Sequence, residues 1–568
     1  MYTSPRLLLF VCLRFLLLMK NPVPLALTCL ALFSAALVLP AAESPHAAAL
    51  EAWRADRFGL FIHWGPVSLK GTEIGWSRAG ERRGYRGPGT LVPADVYDNL
   101  YKEFNPVNFD ANAWVALAQA AGMKYLVFTS RHHDGFSLFD TQASDYKITS
   151  PLSPYRRDIV KELAAACHAA GLKFGLYYSQ PNWHHPDAFT PDRHPRYLAY
   201  LQTQVRELMT NYGKVDILWF DGLGKTAADY DGVAINRMAR ELQPHLLINN
   251  RNGLPEDFDT PEQRVGKYQD TRPWESCITI CKQWAWKPED TMKSLEECVR
   301  TLASCTGGDG NLLFNVGPMP DGRIEPRQVA RLKEMGAWLA KNGESIYATR
   351  GGPWHPTKKA ASTRRGSTVY LHVFHWDNDV VELPALPRAV RSAALLGGGR
   401  AIVRQQNGKL TVAVDATARD PIDTVVKIEL AGSAMDIPAI SLTPLVKATA
   451  SDIYQGNLND FSPAQAFDGD PATRWATGTD TRQAWIARDF EKPTTAAHVR
   501  INEALGERVK QFELQYRDGD AWKTIFTGEK IGRAFTKTFP AVTAREFRLN
   551  ILDSSGGPTI AEIELREK

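Results

Sequence analysis

The feature of this sequence that most constrains its fold is a series of apolar strands, each separated from the next by one amphipathic helix. Strands joined by single helices pair in parallel, and strands that are apolar at nearly every position are buried on both faces. The pattern therefore predicts an α/β fold, a (β/α)8-like barrel. An open doubly wound sheet is the alternative, but no glycine-rich phosphate loop follows the first strand. The predicted strands are residues 58–63, 124–130, 173–179, 216–221, 246–250 and 311–315.

Three helix boundaries are also predicted. Asp110 can cap a helix with its side-chain oxygen, and Gly122 is suited to end that helix. The next helix should end at Gly171.

The periodicity changes after Gly351-Gly352-Pro353, from helical to short alternating strands of the kind found in β-sandwiches. At 568 residues the chain is also longer than one hydrophobic core usually supports. We therefore predict four segments: a signal peptide over residues 1–42, the barrel over 43–350, a small β-sandwich over 351–437 and a second β-rich module over 438–568.

The first segment has the pattern of a secretory signal. Arg6 and Arg14 precede apolar runs, and Pro40-Ala41-Ala42 offers a cleavage site of small residues. A membrane anchor is the alternative, because the apolar stretch is long. In both cases we expect the rest of the chain to face outside the cytoplasm. With the signal removed, the protein would be secreted or periplasmic and would have no stable membrane span.

Charge and cysteine usage argue against two classes of function. The formal net charge of +4 becomes +1 without residues 1–42, because that segment holds three basic residues and no acid (+4 − 3 = +1). A nearly neutral protein has no electrostatic basis for binding nucleic acid. Five cysteines remain without a CxxC pair, so we expect buried thiols rather than a disulfide framework or a zinc site.

Polar and aromatic residues gather where the predicted strands end, and in such a barrel the carboxyl ends of the strands form the active site. A pyranose needs hydrogen bonds to its hydroxyls and an apolar platform under its C–H face. We therefore predict a sugar site from the residues that follow the strands: His63-Trp64-Gly65, Arg131-His132-His133-Asp134, Gln180-Pro181-Asn182-Trp183, Asp221-Gly222 and Asn249-Asn250-Arg251-Asn252.

Asp221 is the main catalytic candidate. Its carboxylate follows the apolar run Leu218-Trp219-Phe220, and a carboxylate beside a buried strand is costly unless it is paired or catalytic. A helix cap or a core salt bridge is the alternative. His132-His133-Asp134 could hold a metal ion, but adjacent residues rarely both reach one ion.

Cleavage of a glycoside with retention of configuration needs a second carboxyl, acidic at first and basic afterwards, about 5–5.5 Å from the nucleophile. The acids on the later loops are candidates for this role. They are Glu256, Glu262 and Glu275, and the residues alone leave the choice between them open.

Six motifs follow one another between residues 50 and 350. They are Phe58-Gly59-Leu60-Phe61-Ile62-His63-Trp64-Gly65, Arg131-His132-His133-Asp134-Gly135-Phe136, Trp219-Phe220-Asp221-Gly222, Thr260-Pro261-Glu262-Gln263, Trp274-Glu275-Ser276-Cys277 and Gly310-Asn311-Leu312-Leu313-Phe314-Asn315-Val316-Gly317-Pro318. Together they resemble the α-L-fucosidases of glycoside hydrolase family 29. The resemblance implies a barrel followed by a β-sandwich. It also implies an exo-acting, retaining α-L-fucosidase whose substrates are fucosylated oligosaccharides or glycoconjugates. The alternative function is an adhesin-like glycan-binding protein with altered catalysis.

The resemblance also implies residue roles. Asp221 would be the nucleophile and Glu262 the acid/base, with Glu275 as the runner-up. Fucose carries a methyl group where other hexoses carry CH2OH, so one wall of its subsite should be apolar. The implied sugar contacts are His63, Trp64, His132, His133, Tyr178, Arg251 and Glu275, with Phe61 and Trp286 as the apolar wall.

The chain departs from the family pattern after its first strand. Many members show Glu-Trp-Tyr there, whereas this chain has Glu73-Ile74-Gly75-Trp76-Ser77-Arg78 and then a stretch rich in glycine and arginine up to Gly89. The difference can remodel the subsite for the next sugar. The Thr-Pro-Glu-Gln motif resembles members that act on α-1,3/1,4-linked branched glycans, so we expect that linkage.

The last module has motifs of its own: Ala448-Thr449-Ala450-Ser451, Ala466-Phe467-Asp468-Gly469-Asp470, Thr473-Arg474-Trp475 and Phe547-Arg548-Leu549-Asn550. They resemble the discoidin-like β-sandwich of coagulation-factor C-type domains, a fold used by carbohydrate-binding modules. The resemblance implies a structural calcium ion near Asp468, Asp470, Thr473 and Glu562; the alternative is an Asp-Gly turn without an ion. We expect no cofactor for catalysis.

Overall fold

The computed structural model describes residues 44–80, 90–376, 379–442, 446–469 and 473–567, so the predicted signal peptide lies outside the described residues. The chain forms two compact units. The first runs to Gly351 and includes residues 396–398 and 420–425, and the second holds the remainder. Within the described ranges, no helix is both long and apolar enough to cross a membrane.

The first unit alternates strands and helices. Its strands are β1 (Phe58–Ile62), β2 (Tyr125–Arg131), β3 (Lys173–Ser179), β4 (Ile217–Asp221), β5 (Leu247–Ile248), β6 (Glu275–Thr279), β7 (Asn311–Val316) and β8 (Arg350–Gly351). Its helices are α1 (Pro45–Asp56), α2 (Ala94–Tyr97), α3 (Ala111–Ala120), α4 (Ile159–Ala170), α5 (His194–Thr210), α6 (Gly232–Leu242), α7 (Leu295–Gly307) and α8 (Pro326–Asn342).

Seven of these strands make one parallel sheet in the order β5-β4-β3-β2-β1-β7-β6. The strand predicted over residues 173–179 is found with the same bounds, whereas the one predicted over 246–250 is reduced to two residues. Strand β6 has no predicted counterpart, because a segment that begins Glu-Ser-Cys lacks the apolar pattern.

An irregular stretch over residues 257–263, here called the closing segment, joins the two edges of this sheet. On the β5 side, the Asn250 amide donates to the Phe258 carbonyl at 3.0 Å. On the β6 side, the Cys277 amide donates to the Pro261 carbonyl at 3.0 Å. The closing segment therefore takes the place of an eighth strand, and the predicted (β/α)8-like barrel is confirmed.

Alternate strand positions, with Trp53 from α1 and Phe258 from the closing segment, fill the inside of this ring with apolar side chains, because successive side chains of a strand point to opposite faces. Burial of each such side chain contributes roughly 1.5–3 kcal/mol to folding. This core lies beneath the carboxyl ends of the strands. Its members, all at most 2% exposed, are Trp53, Phe61, Tyr125, Val127, Tyr177, Ile217, Trp219, Leu247, Phe258, Cys277 and Leu313.

The predicted helix boundaries are confirmed where the structure tests them. The Asp110 carboxylate accepts the Ala113 amide at 3.0 Å at the start of α3, a cap that contributes about 1 kcal/mol. Helix α3 ends two residues before Gly122. Gly171 follows α4 with a φ of 67°, a left-handed conformation that glycine adopts without steric cost. The five cysteines beyond residue 42 are free and buried, as expected.

The second unit holds two β-rich parts. In the first part, strands in the orders β12-β15-β10-β9 and β11-β14-β13 form antiparallel sheets over a shared apolar core. These strands are β9 (Ala360–Arg365), β10 (Thr368–Val373), β11 (Val380–Pro384), β12 (Val390–Leu395), β13 (Ile402–Gln406), β14 (Lys409–Ala413) and β15 (Thr424–Leu430).

The second part is a sheet in the order β17-β22-β18-β21-β19-β20, with β16 paired to β18, around a core of its own that includes Trp475 and Phe512. The two predicted β-rich folds are thus confirmed. The elements are β16 (Lys447–Ala450), α9 (Leu458–Phe461), β17 (Trp475–Ala476), β18 (Ala484–Glu503), β19 (Val509–Asp518), β20 (Ala521–Gly528), β21 (Phe535–Ser554) and β22 (Thr559–Arg566).

Candidate active site

Asp221 is the last residue of β4 and points into the mouth of the barrel. The Tyr177 hydroxyl donates to its Oδ2 at 2.9 Å, and His133 Nε2 lies 3.5 Å from the same oxygen. Its other oxygen, Oδ1, lies 3.5 Å from Arg251 Nη1. The structure thus surrounds this carboxylate with the residues that follow the neighbouring strands, as expected of a site at the carboxyl ends of a barrel.

Gly222 is needed immediately after Asp221. Its amide donates to the Arg251 carbonyl at 3.0 Å, and a Cβ at this position would fall 2.5 Å from that oxygen. Only a residue without a side chain lets the two strand ends approach this closely.

Arg251 joins the two candidate carboxyls. Its Nη1 lies 2.8 Å from Glu262 Oε2 as well as 3.5 Å from Asp221. The guanidinium rests on the ring of Trp219, with Cζ 4.6 Å from the ring centroid, and its Nε donates to the Thr260 hydroxyl at 2.8 Å. Planar stacking and several fixed donors hold an arginine in one orientation. Arg251 therefore sets how the two carboxyls face each other.

Glu262 lies on the closing segment, next to β6. Its side chain is 42% exposed, against 13% for that of Asp221. An acid/base group needs access to both the leaving group and water, and this exposure provides it.

The three predicted histidines lie together beside Asp221. The ring centroids of His132 and His133 are 4.2 Å apart, and those of His63 and His132 are 5.7 Å apart. His63 Nδ1 is hydrogen-bonded to Asn315 Oδ1 at 2.7 Å, and His133 Nδ1 to the Ser179 hydroxyl at 2.6 Å. Such bonds fix the orientation of each ring.

Burial keeps two of these rings neutral. It lowers the pKa of His63 to about 3 and that of His132 well below its usual value. His132 Nδ1 is buried without a hydrogen-bond partner among the described residues. A Cβ at Gly75 would fall 2.7 Å from that nitrogen, so glycine is required where the loop after β1 crosses the ring. Neutral imidazoles in a closed pocket are suited to exchanging hydrogen bonds with hydroxyl groups.

Two predicted sugar contacts are corrected by the structure. The side chain of Tyr178 points to the outer face of β3, where its hydroxyl donates to Gln204 at 2.9 Å; the neighbouring Tyr177 faces the site. The ring of Trp64 lies in an aromatic cluster, 5.1 Å from the ring of Trp114, and its Nε1 donates to the Met319 carbonyl at 3.1 Å. The period of two along a strand, applied from Asp221 across the sheet register, could have separated Tyr177 from Tyr178.

Glu275 does not reach the site and is therefore corrected both as runner-up acid/base and as sugar contact. It begins β6, so it lies at the amino-terminal end of the strands, opposite to Asp221. Its carboxyl is fully buried beneath Trp219, whose Nε1 donates to it at 3.3 Å. Glu256 is likewise engaged elsewhere, with Asn236 and Arg240 each 2.6 Å from its carboxylate oxygens.

The resemblance implies an apolar wall formed by Phe61 and Trp286. The ring of Phe61 lies beneath that of His63, with centroids 4.5 Å apart. Trp286 is half-buried in the loop after β6, two residues from Trp284, whose ring lies 4.7 Å from that of His63. Trp284 is thus a site residue that the motifs did not indicate.

Glu73 is a second unpredicted member of the site, on the loop that departs from the family pattern. Its carboxylate accepts the amides of Trp284 at 2.9 Å and Ala285 at 3.0 Å. Burial raises the pKa of Glu73 to about 7. The first loop is thereby tied to the loop after β6, while residues 81–89 of the altered stretch lie outside the described part.

His132, His133 and Asp134 do not converge on one point. The carboxylate of Asp134 accepts the Tyr97 hydroxyl at 2.7 Å and the Phe136 amide at 3.2 Å. Burial raises the pKa of Asp134 to about 6. Its position fits anchoring of the loop rather than ligation beside the two histidines.

The residues proposed for calcium are partly within the described ranges; Asp470 is not. The Thr473 hydroxyl donates to both oxygens of Asp468, at 3.0 and 2.9 Å. Burial raises the pKa of Glu562 to about 7, and the nearby Asp468 adds to the rise. Glu562 Oε2 is buried without a hydrogen-bond partner in the described part of the chain. Both carboxylates offer oxygens of the kind that a hard cation takes, but within the described ranges no group of three or more such side chains converges on one point.

Comparisons with known proteins match two parts of the chain to known families. A family model described as Alpha-L-fucosidase matches residues 30–344, and one described as F5/8 type C domain matches residues 447–565. The human plasma alpha-L-fucosidase is 33% identical over 65% of this chain and 87% of its own length.

Solved structures give the same result. An alpha-L-fucosidase isoenzyme 1 from Paenibacillus thiaminolyticus is 34% identical, with a TM-score of 0.61 over 68% of this chain and 100% of that chain. An alpha-L-fucosidase GH29 from Bacteroides thetaiotaomicron, trapped as a covalent intermediate, is 25% identical, with a TM-score of 0.60 over 67% of this chain and 96% of that chain.

Proposed function

The chain belongs to the alpha-L-fucosidase family of glycoside hydrolases, and from this premise we propose that it releases terminal α-L-fucose with retention of configuration, by double displacement. Alpha-L-fucosidase activity on fucosylated glycans follows from the family. The mechanism, the roles of individual residues and the linkage are the content of the proposal.

The observation that carries it is the pair of carboxyls joined by Arg251. Asp221 Oδ1 and Glu262 Oε2 lie 3.5 and 2.8 Å from the same nitrogen, so their separation cannot exceed the sum of these distances. Contact of both carboxyls with one guanidinium nitrogen brings them close together, as the roughly 5–5.5 Å separation of a retaining enzyme requires. The spacing therefore supports direct attack by one carboxylate.

The reaction then has two steps. Asp221 attacks the anomeric carbon and forms a fucosyl-enzyme ester, while Glu262 gives its proton to the leaving oxygen. Water enters beside Glu262, which now removes a proton as the water attacks the same carbon and restores Asp221 as a carboxylate. The covalent intermediate trapped in the Bacteroides thetaiotaomicron relative supports this order of events.

The surrounding residues would select fucose. Neutral His63 and His132, with His133, offer hydrogen bonds to its hydroxyls. Phe61 and Trp286 would cover the methyl group, a contact that contributes about 1 kcal/mol and favours fucose without excluding analogues.

Three further expectations complete the proposal. The Thr-Pro-Glu-Gln motif favours α-1,3/1,4-linked branched glycans as substrates. The amino-terminal segment favours a secreted or periplasmic enzyme. Catalysis needs no cofactor, and Asp468 and Glu562 would hold a structural calcium ion in the last module.

The test is turnover of 4-nitrophenyl α-L-fucoside, followed by proton NMR of the first anomer released. We expect α-L-fucose first, at a rate that EDTA leaves unchanged. Release of β-L-fucose first would contradict retention, and loss of turnover with EDTA would contradict catalysis without a metal. A panel of fucosylated oligosaccharides then ranks the linkages; binding of these glycans without turnover would instead favour the adhesin-like alternative.

A further inference from the structure

Glu275 is a buried carboxyl that the proposed reaction does not use. It lies on the inner face at the base of the barrel and accepts hydrogen bonds from the Tyr125 hydroxyl and from Trp219 Nε1, the latter at 3.3 Å. Both donors are neutral. A carboxyl buried away from solvent is costly unless its partners compensate it, so its position in this core calls for a physical explanation.

Trp219, the partner of Glu275, also contacts the arginine that joins the two carboxyls of the site. Trp219 and Asp221 are two residues apart on β4 and therefore face the same side of the sheet. Arg251 rests on the Trp219 ring with Cζ 4.6 Å from the centroid, and its Nη1 reaches both Asp221 and Glu262. Glu275 is thus connected to Asp221 and Glu262 by direct contacts that run through Trp219 and Arg251.

The base of the barrel is built to hold Glu275 in place. A Cβ at Gly59 would fall 2.2 Å from the ring of Tyr125, so glycine makes room for the ring whose hydroxyl donates to Glu275. Asn311, another buried polar residue of this layer, donates to the Trp53 carbonyl at 2.8 Å and to the Tyr125 hydroxyl at 3.5 Å. Asn311 and Glu275 therefore share Tyr125, whereas the hydrogen bond from Trp219 Nε1 goes to Glu275.

We propose that Glu275 is a positioning residue for the Asp221–Glu262 pair. The acceptor beneath Nε1 fixes the rotation of the Trp219 indole, the indole fixes the plane on which Arg251 lies, and Arg251 fixes the two carboxyls relative to each other. Stacked guanidinium groups follow the ring beneath them, and an indole that loses its buried acceptor turns to find another. This role rests on the fucosidase reaction proposed above.

The first test compares two substitutions on two substrates. Glu275→Leu removes the acceptor, so kcat/KM should fall about tenfold to a hundredfold on a fucosyl oligosaccharide, whose leaving group needs protonation by Glu262. With 2,4-dinitrophenyl α-L-fucoside, which needs little protonation, the loss should be at least about fivefold smaller, because Asp221 keeps its place on β4 and its hydrogen bond from Tyr177. Glu275→Gln keeps an acceptor and should restore both rates to within about threefold of wild type.

A double-mutant cycle tests the route through the indole. Trp219→Phe keeps a ring under Arg251 but removes Nε1, so it should reproduce the dependence on leaving group. Adding Glu275→Leu to Trp219→Phe should cost less than about twofold more, because the contact is already absent. Asn311→Leu is the control for the Tyr125 side of this cluster, because it removes a contact of Tyr125 and keeps the hydrogen bond between Trp219 and Glu275: it should lower the melting temperature without changing the ratio of rates on the two substrates.

Several outcomes would overturn the proposal. They are wild-type rates in Glu275→Leu, equal losses on both substrates, or additive losses in the cycle. If Glu275→Leu does not fold, Trp219→Phe alone decides, since an equal loss on both substrates would exclude the route through Nε1. Turnover of both substrates by the wild-type protein tests the proposed function. The positioning role is tested separately, because it depends only on the ratio of the variant's kcat/KM to that of the wild type.

Discussion

The two carboxyls of the site stand on different kinds of backbone. Asp221 ends a regular strand whose register against β3 places it beside Ser179, and its side chain is 13% exposed. Glu262 stands on the closing segment, whose contacts with β6 are isolated, and its side chain is 42% exposed. A nucleophile must meet one carbon atom in a fixed position, whereas an acid/base must reach leaving groups of different shape and admit water. The regular and irregular parts of the ring suit these two tasks.

The largest effect is expected from a substitution at the end of β4. Asp221→Asn keeps the size of the side chain and an acceptor for Tyr177 but removes the nucleophile. We expect kcat on 4-nitrophenyl α-L-fucoside to fall by at least about 10⁴-fold. The melting temperature should change little, and calorimetry should still detect fucose binding. Near-normal turnover would show that Asp221 is not the nucleophile.

A smaller effect is expected on the closing segment. Glu262→Ala should lower kcat/KM by about 10²–10⁴-fold on substrates with poor leaving groups, and less on activated ones. Azide should accelerate the variant, because azide can intercept the fucosyl-enzyme without a general base.

Glu256→Gln is the matched control for that experiment, since Glu256 is held by Asn236 and Arg240. It should be nearly as active as wild type and should show no azide effect. Azide rescue of Glu275→Ala in place of Glu262→Ala would reassign the acid/base.

The same contrast explains what could be predicted from the sequence. Apolar strands between helices predict the barrel, and polar residues at their ends predict Asp221, the histidines and Arg251, because backbone periodicity determines where those side chains go. Glu262 stands on a segment without periodicity, so only the resemblance distinguishes it from Glu256 and Glu275. Its distance from Arg251 depends on tertiary contacts that no local pattern encodes.

The errors have physical causes too. The resemblance indicates Tyr178 rather than Tyr177, although only one of two neighbours on a strand can face the site. Glu73 and Trp284 lie on loops whose meeting point is set by hydrogen bonds between residues 211 positions apart. Glu275 opens a strand rather than ending one, and a motif alone does not state which end of the strand it occupies.

A third prediction concerns the neutral histidines at the strand ends. Burial lowers the pKa of His63 to about 3. Below pH 6.5 the unfolded chain binds a proton here that the folded protein does not take up until about pH 3, so stability falls as the pH falls through this window. The loss from this group is at most about 1.4 kcal/mol per pH unit.

His63→Asn removes that contribution, so its melting temperature should fall less than that of wild type between pH 6.5 and 4.5. Glu73 and Glu275 act in the opposite sense, because burial raises the pKa of each to about 7 and folding then favours their protonated forms. Their effects are common to both proteins and cancel in the difference. Parallel curves of melting temperature against pH would contradict the buried neutral state of His63.

The smallest expected effect tests whether the closing segment needs its stiffness. Pro261 restricts this segment next to Glu262, and its carbonyl accepts the Cys277 amide at 3.0 Å. Pro261→Ala should lower stability by about 0.4–1 kcal/mol, because the unfolded chain gains conformational freedom. If stiffness of the segment also positions Glu262, kcat/KM should fall by about twofold on a fucosyl oligosaccharide and remain unchanged on 2,4-dinitrophenyl α-L-fucoside. Pro326→Ala, at the start of α8, is the control, with a similar loss of stability and no change in either rate. A loss of the same size on both substrates would show that the segment supports the barrel but does not orient the acid.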